Sequence, residues 1–178
     1  MRLSVAVVAC AVILLAGCSK PTAEEYFAEA EAAQNAKNFP LAIETYSELV
    51  TEHPKTPLAE ISLFKIAEIH HNETKDFVKA IEAYQRYISM YPDGVKAPSA
   101  LFVIGFLYNN QLHNLDSAAA VYRRFLDRYP HDELASSALF ELQNLGKSPE
   151  ELIPHEDQEK EPPPKTTVKK PAREKKNV

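Results

Sequence analysis

The chain has 178 residues, of which 25% are charged, and its formal net charge is −5. Its four glycines stand at positions 17, 94, 105 and 146, too scattered for a phosphate-cradling loop, so the composition argues against nucleotide chemistry. The acidic balance argues against a nucleic-acid-binding domain, which would present a basic face.

A short apolar run opens the chain. It covers residues 3–16 behind the lone cation Arg2 and closes with Leu15-Ala16-Gly17-Cys18. A charged start, a short apolar run and small residues at the exit are typical of a secretory signal, and the run is too short for a comfortable membrane span. We therefore expect residues 1–17 to be removed from the mature protein.

The four residues that end at Cys18 resemble the lipobox of bacterial lipoproteins. The resemblance implies that Cys18 becomes the first mature residue, that it carries a diacylglyceryl thioether and an amide-linked acyl chain such as palmitate, and that residues 18–21 form a lipidated N-terminus. Ser19 resembles the residue that follows the cysteine in lipoproteins sorted to the outer membrane, which implies a periplasm-facing location there. An ordinary signal peptide with a chance cysteine and an uncleaved anchor helix are the alternatives.

The chain contains only two cysteines. Cys10 leaves with the signal and Cys18 would be acylated, so no thiol remains for a disulfide, a zinc site or nucleophilic catalysis. We expect folding to depend on apolar packing alone.

The remainder of the chain repeats itself with a period of 38 residues. The repeated positions are Phe39/Phe77/Leu115, Ala42/Ala80/Ala118, Tyr46/Tyr84/Tyr122, Pro54/Pro92/Pro130, Ala59/Ala97/Ala135, Leu63/Leu101/Leu139 and Phe64/Phe102/Phe140. Within each copy the apolar residues recur three and four apart, which predicts amphipathic helices. A fixed period of this length is typical of stacked repeat units.

Capping signals and prolines divide the repeats into helices. Thr22 with Glu25 reads as a capping box, Thr56 before Pro57 as a helix start, and the Tyr-Pro pairs at Pro92 and Pro130 as helix stops. We predict seven helices in antiparallel pairs, near residues 22–36, 40–53, 57–71, 76–90, 97–110, 116–129 and 132–145. The predicted fold class is all-α.

The units resemble tetratricopeptide repeats. The family pattern matches Leu101, Ile104-Gly105, Tyr108, Ala118, Tyr122 and Pro130 in one copy, and Leu63, Ile66-Ala67, His70, Ala80, Tyr84 and Pro92 in the copy before it. The small residues have a physical reason, because paired helices cross closely where they stand. The resemblance implies an α-α superhelix of about 3.5 repeats over residues 22–153. The four residues beyond the usual 34-residue period fall mostly in the turn between units, with one in the turn inside each unit.

Longer units that end in Tyr-Pro, together with a lipobox, are similar to two periplasmic families. One is the BamD-like family of outer-membrane assembly lipoproteins, and the other is the repeat region of the Tol-Pal-associated YbgF family. The resemblance covers residues 22–146. It implies a place in outer-membrane protein assembly or envelope maintenance.

By the family pattern, the first helix of each unit lines the concave wall, a surface suited to peptides or partner helices. The implied partner-binding groove consists of Phe64, Glu68, His71, Phe102, Phe106 and Asn109, with Phe27 and Phe140 extending it. The alternative is that Phe64, Phe102 and Phe140 pack against neighbouring helices, since aromatics that recur at helical spacing are usually core. Phe106 is the stronger candidate for ligand contact because it replaces Glu68 at the equivalent position.

Histidines offer no metal-binding pattern. His70 and His71 are adjacent, and adjacent helical residues point about 100° apart, so they cannot easily share a metal. We expect His70, in the position of Tyr108, to pack, and His71 to face solvent or the groove. Catalytic motifs of the zinc-peptidase, serine-hydrolase and paired-carboxylate kinds are absent from the sequence. We predict no enzyme activity, no cofactor and no metal.

Residues 154–178 differ from the rest in composition. They are rich in proline and lysine, and from Lys165 onward six basic residues face one acidic residue, whereas residues 18–164 carry a charge of −11. Such a segment has almost nothing apolar to bury, so we expect disorder. It is either a solvated tail or a contact for anionic lipid headgroups and cell-wall polymers.

Together these features predict a lipid-anchored periplasmic scaffold for protein–protein interaction. The expected partners are envelope proteins or peptides and the membrane that holds the lipid, with no nucleic acid. The alternative is a ligand-binding or peptidoglycan-binding lipoprotein that uses the groove or the basic tail.

Overall fold

The computed structural model describes residues 20–147 and residue 151. Within that part of the chain there are seven α-helices and no strand. The helices are α1 (Ala23–Asn35), α2 (Phe39–Glu52), α3 (Pro57–Glu68), α4 (Phe77–Met90), α5 (Ala97–Asn110), α6 (Leu115–Arg128) and α7 (Ala135–Gln143). Each helix packs against the next in a tetratricopeptide-like arrangement, and α1 also contacts α3. The all-α superhelical fold class is confirmed.

The predicted caps at the starts of α1 and α3 are present. Thr22 Oγ1 accepts a hydrogen bond from the Glu25 amide at 3.2 Å, and the Glu25 carboxylate accepts one from the Thr22 amide at 2.8 Å. Thr56 Oγ1 accepts from the Ala59 amide at 3.2 Å, directly before Pro57. These bonds satisfy amides that a helix start leaves without intrahelical partners.

The turn inside each unit has the same geometry three times, a feature that the sequence analysis missed. A residue of positive φ is followed by a residue whose side-chain oxygen accepts from the amide three positions on. The positive-φ residues are Lys37 (59°), Lys75 (56°) and His113 (50°), and the capping residues are Asn38 (3.4 Å), Asp76 (3.1 Å) and Asn114 (3.0 Å). The period of 38 residues therefore extends to the backbone of the turns.

The third predicted helix differs from expectation at its end. We predicted a helix to residue 71, but the α-helix ends at Glu68 and continues as a π-helical turn, Ile69–Glu73. The Thr74 amide donates to the Ile69 carbonyl at 3.0 Å, a bond across five residues. The wider turn accommodates an additional residue while Ile69 stays fully buried.

The last helix is shorter than the predicted 132–145. Asp132 forms a turn in place of a first helical turn, because its carboxylate accepts from the Leu134 amide at 2.9 Å. After the helix, Gly146 adopts a φ of 75°, a left-handed conformation that ends a helix at little cost for glycine.

The core is built from small residues facing tyrosines. Ala42, Ala80 and Ala118 are fully buried. Tyr46, Tyr84 and Tyr122, one turn further along the same helices, are at most 2% exposed. The predicted close helix crossing is present at Gly105, where a β-carbon would lie 2.7 Å from Tyr122 Cε1. The ring of Tyr122 thus occupies the space that a larger residue on α5 would need.

Hydrogen bonds between the turns that end successive units join one unit to the next. Tyr91 Oη donates to the Pro54 carbonyl at 2.9 Å, and Arg128 Nη2 donates to the Pro92 carbonyl at 2.8 Å. The two bonds span 37 and 36 residues, close to one repeat length. They reinforce the apolar contact between neighbouring units.

The chain divides into two units, the first ending at Gly146 and the second beginning at Lys147. All seven helices belong to the first. None of the helices in the described residues is long and apolar enough to cross a membrane. The predicted signal peptide, Cys18 and the tail 154–178 lie outside the described residues.

Candidate functional site

Three phenylalanines on first helices pack in the same way. The ring centroids of Phe27 and Tyr46 are 5.8 Å apart, those of Phe64 and Tyr84 5.4 Å, and those of Phe102 and Tyr122 5.7 Å. Each phenylalanine therefore contacts the core tyrosine on the second helix of its own unit, and each remains partly exposed. Tilted or edge contacts of this kind are favourable aromatic arrangements.

Phe140, the fourth residue of this series, is 51% exposed. The last helix whose bounds the structure describes is α7. Leu139, beside it, is 45% exposed, whereas the equivalent Leu63 and Leu101 are each 1% exposed. The end of the repeat stack thus presents an apolar face at α7.

Glu68 adds negative charge beside two of the core tyrosines. Burial, and then the charges of Glu31 and Glu68, raise the pKa of Tyr46. Burial, and then the charge of Glu68, raise the pKa of Tyr84. Glu31 and Glu68 occupy equivalent positions on α1 and α3, so the first two units carry one carboxylate each where the third carries Phe106.

His70 and His71 lie in the π-helical turn rather than on a regular α-helix. The His71 ring is 6.3 Å from that of Phe77, at the start of α4. Burial lowers the pKa of both histidines; the positive charge of Lys75 lowers that of His71 further. The described residues contain no group of three or more His, Cys, Asp or Glu side chains placed to hold a metal ion.

The side chains of Asn109 and Phe106, both on α5, differ in their contacts. Asn109 Nδ2 donates to the Glu141 carboxylate at 3.4 Å, and its Oδ1 accepts from the Gly146 amide at 3.4 Å, so it joins α5 to α7. Phe106 lies one turn from Phe102 on the same helix and is partly exposed. Which of these residues contacts a ligand stays a prediction.

Two contacts beside Phe64 were not predicted from the sequence. The Lys96 ammonium is 5.7 Å from the centre of the Phe64 ring, a cation–π contact from the start of the next unit. Tyr87 Oη donates to the Glu60 carboxylate at 2.6 Å. In the next unit both partners of this bond are replaced, Tyr87 by Phe125 and Glu60 by Pro98. This paired replacement is visible in the sequence and could have indicated the bond.

Known proteins contain repeats similar to those of this chain. Two models described as tetratricopeptide repeat match the chain, at residues 27–95 and 99–132. Among solved structures, the Arabidopsis OM64 TPR domain is similar, with 20% identity and a TM-score of 0.49 over 68% of this chain and 93% of that chain. No curated protein sequence matches the chain. Residues 27–132 comprise repeats of this kind, and the chain is a tetratricopeptide-repeat protein.

Proposed function

We propose that the protein is a non-catalytic scaffold that binds a segment of a protein partner along its first helices. Tetratricopeptide repeats suggest protein–protein interaction, and the fold is typically non-catalytic. We further propose that a lipid on Cys18 holds the scaffold at the outer membrane, facing the periplasm, where it serves outer-membrane protein assembly or envelope maintenance. Its partners are then other envelope proteins or peptides.

The observation that carries the binding proposal is the half-burial of Phe64, Phe102 and Phe106 on successive first helices. Phe64 and Phe102 are held on one side by core tyrosines, so they are already ordered before a partner arrives. These side chains therefore lose little conformational entropy when a partner binds. Because these rings are already largely buried, covering the exposed part of one is worth a fraction of the about 1.5–3 kcal/mol expected for burying a whole side chain.

Charge suggests the character of the partner segment. All three units contribute a phenylalanine, but the first two also contribute Glu31 and Glu68, whereas the third has Phe106 at the matching position. A segment with a basic residue followed by apolar or aromatic residues complements this order. We expect it to bind with its basic end towards α1 and α3.

The test of the scaffold is site-specific crosslinking in native membranes. A photoreactive amino acid at Phe106 should yield a discrete crosslinked protein. The substitution Phe106→Glu, which introduces the residue type of the preceding unit, should lower the yield about tenfold, the result of losing about 1.4 kcal/mol.

Val78→Glu is the matched control, because Val78 is 54% exposed on a second helix. It should leave the crosslink unchanged. No crosslinked protein at Phe106, or equal losses in the two variants, would overturn the proposed binding face.

The lipid anchor has its own experiment. The full-length chain should incorporate labelled palmitate and sediment with the outer membrane. The substitution Cys18→Ser should abolish the labelling and release the protein from the membrane, because the mature chain has no other thiol on which the thioether could form. Labelling that survives Cys18→Ser would overturn the anchor without touching the scaffold.

A second candidate is peptidoglycan binding through the basic tail. It is favoured by the six basic residues against one acid from Lys165 onward. Purified peptidoglycan should then retain the full chain and release a chain cut after residue 153. Equal retention of both chains rules out the tail.

A further inference from the structure

A second surface of the molecule lies between α4 and α6, over α5. It is an open pocket of about 480 Å³. Its floor is apolar, formed by Ile88, Leu101, Ile104 and Val121, and Arg124 and Arg128 stand at its rim. We name it the arginine pocket.

The arginine pocket is separate from the face of Phe102 and Phe106. Leu101 and Ile104 line its floor, whereas the two phenylalanines lie on another side of α5, roughly 150° around the helix at 100° per residue. A ligand in the pocket would therefore leave the first-helix face open.

Among the described residues neither Arg124 nor Arg128 forms an ion pair with a carboxylate. Arg128 gives one hydrogen bond to the Pro92 carbonyl, and its guanidinium lies 5.3 Å from the centre of the Tyr129 ring. Because a guanidinium has five N–H donors, others remain for a ligand. The two side chains stand four residues apart on α6 and are neighbours on one helix face.

The neighbouring unit provides an internal comparison. An equivalent pocket between α2 and α4 has the same floor positions, Leu63 and Ile66, and an arginine, Arg86, but it also contains Lys79 and Glu82. In the arginine pocket Ala120 stands at the position of Glu82, and Arg128 stands at the position of Met90. The lining of the arginine pocket therefore has two cations and no carboxylate, whereas that of its neighbour has two cations and one carboxylate.

We propose that the arginine pocket binds an acidic segment of a protein partner, in which a carboxylate side chain is flanked by aliphatic residues. The guanidinium groups bind the carboxylate by charge-assisted hydrogen bonds. Leu101 and Ile104 are each 1% exposed and offer little surface, so the aliphatic neighbours contact the partly exposed Val121. Residues 20–147 carry 18 acidic and 12 basic side chains, a charge of −6, which repels an acidic segment elsewhere on the body and directs it to this pocket.

The experiment follows the arginine Nε–Hε and the methyl signals of the full-length chain by NMR in a non-ionic detergent. The probes are N-acetyl-leucyl-glutamyl-leucinamide, its glutaminyl counterpart and inorganic phosphate. The glutamyl peptide should shift the Arg124, Arg128 and Ile104 signals saturably. Its Kd should be about tenfold lower than that of the glutaminyl peptide, as expected for about 1.4 kcal/mol from the carboxylate.

Three variants complete the test. Arg124→Gln and Arg128→Met, the latter restoring the residue type of the preceding unit, should each raise the Kd about tenfold. Arg86→Gln, in the neighbouring pocket, should not change it. Equal affinity of the two peptides, no effect of either pocket variant in a folded chain, or tighter binding of phosphate at the same arginines would overturn the proposal.

Discussion

Arg128 Nη2 donates a 2.8 Å hydrogen bond to the carbonyl oxygen of Pro92. In the preceding unit the equivalent carbonyl, that of Pro54, accepts instead from Tyr91 Oη at 2.9 Å. Tyr129, at the position equivalent to Tyr91, has a buried hydroxyl with no hydrogen-bond partner among the described residues. Different side chains therefore donate the hydrogen bond at the two inter-unit junctions, although a tyrosine is present at both.

This difference predicts opposite effects of the same substitution. Tyr91→Phe should lower the free energy of unfolding by about 1 kcal/mol, because the Pro54 carbonyl loses its donor. Tyr129→Phe should leave it unchanged or raise it slightly, because the substitution removes a buried hydroxyl that has no partner. Urea unfolding measures both. Equal losses in the two variants would contradict the assignment of Arg128 as the donor at the second junction.

Gly105→Ala should destabilise the protein. Alanine is favoured over glycine within a helix by about 1 kcal/mol, but the new β-carbon would lie 2.7 Å from Tyr122 Cε1. The ring is fully buried and cannot move aside freely, so we expect a net loss of about 1–3 kcal/mol.

Thermal unfolding of Gly105→Ala beside Asn110→Ala checks this. Asn110 is exposed on the same helix and its change should be small. A Gly105→Ala variant as stable as the parent would show that α5 and α6 can separate without cost.

The bond between Tyr87 and Glu60 should appear as a coupling energy. Tyr87→Phe removes the donor of a 2.6 Å hydrogen bond to a carboxylate, for which a loss of about 1.5–3 kcal/mol is expected. Glu60→Ala removes the acceptor. The next unit also lacks both partners, with Phe125 and Pro98 at the equivalent positions. The loss in the double variant should be smaller than the sum of the two single losses.

A double-mutant cycle by urea unfolding measures the coupling. Additive losses would mean that the hydrogen bond contributes nothing to stability beyond the packing of the ring.

Stability should fall when the pH falls below about 6.5, the ordinary pKa of histidine. Burial lowers the pKa of His70 and His71 in the folded protein. Between the two pKa values the unfolded chain takes up protons that the folded chain does not, which favours unfolding. Their contribution to stability is fully present above the unfolded pKa and is lost as the pH falls towards the folded one.

Urea unfolding at about pH 7.5 and about pH 5.5 measures this difference in stability. The double variant His70→Gln, His71→Gln should reduce it. His131→Gln, in an exposed turn, is the control and should leave the difference in place. An unchanged difference in the double variant would show that other groups cause the pH dependence.

Much of the fold follows from the 38-residue period. The repeated alanine, tyrosine and proline positions locate the helices, most of them to within one residue, and Ala67 and Gly105 mark the close crossings. Asn38, Asp76 and Asn114 share the same period, so the caps inside the units were also readable. The π-helical turn after Glu68 was not, because apolar spacing does not distinguish hydrogen bonds across four residues from those across five.

The candidate site is less accessible from sequence. Phenylalanine recurs on the first helices at the repeat interval, which the sequence shows. The half-burial of these rings depends on tyrosines about 20 residues away in the chain. The bond of Asn109 to Glu141 spans 32 residues and joins α5 to α7, which no local pattern encodes. The arginine pocket results from residues that differ from the equivalent residues of the preceding unit. That these residues form a pocket is evident only from the packing of α4, α5 and α6.

In α7 a single residue, Ala138, is buried, whereas six residues of α5 are buried. Opening α7 therefore disturbs little of the apolar interior, and its amides should exchange with solvent through local fluctuations rather than through global unfolding. Protection against hydrogen exchange should rise from α7 inwards to α4. In the cell, a protein that binds at α7 would contact a helix that can still change its position. A protein that binds at α4 or α5 would contact a rigid surface.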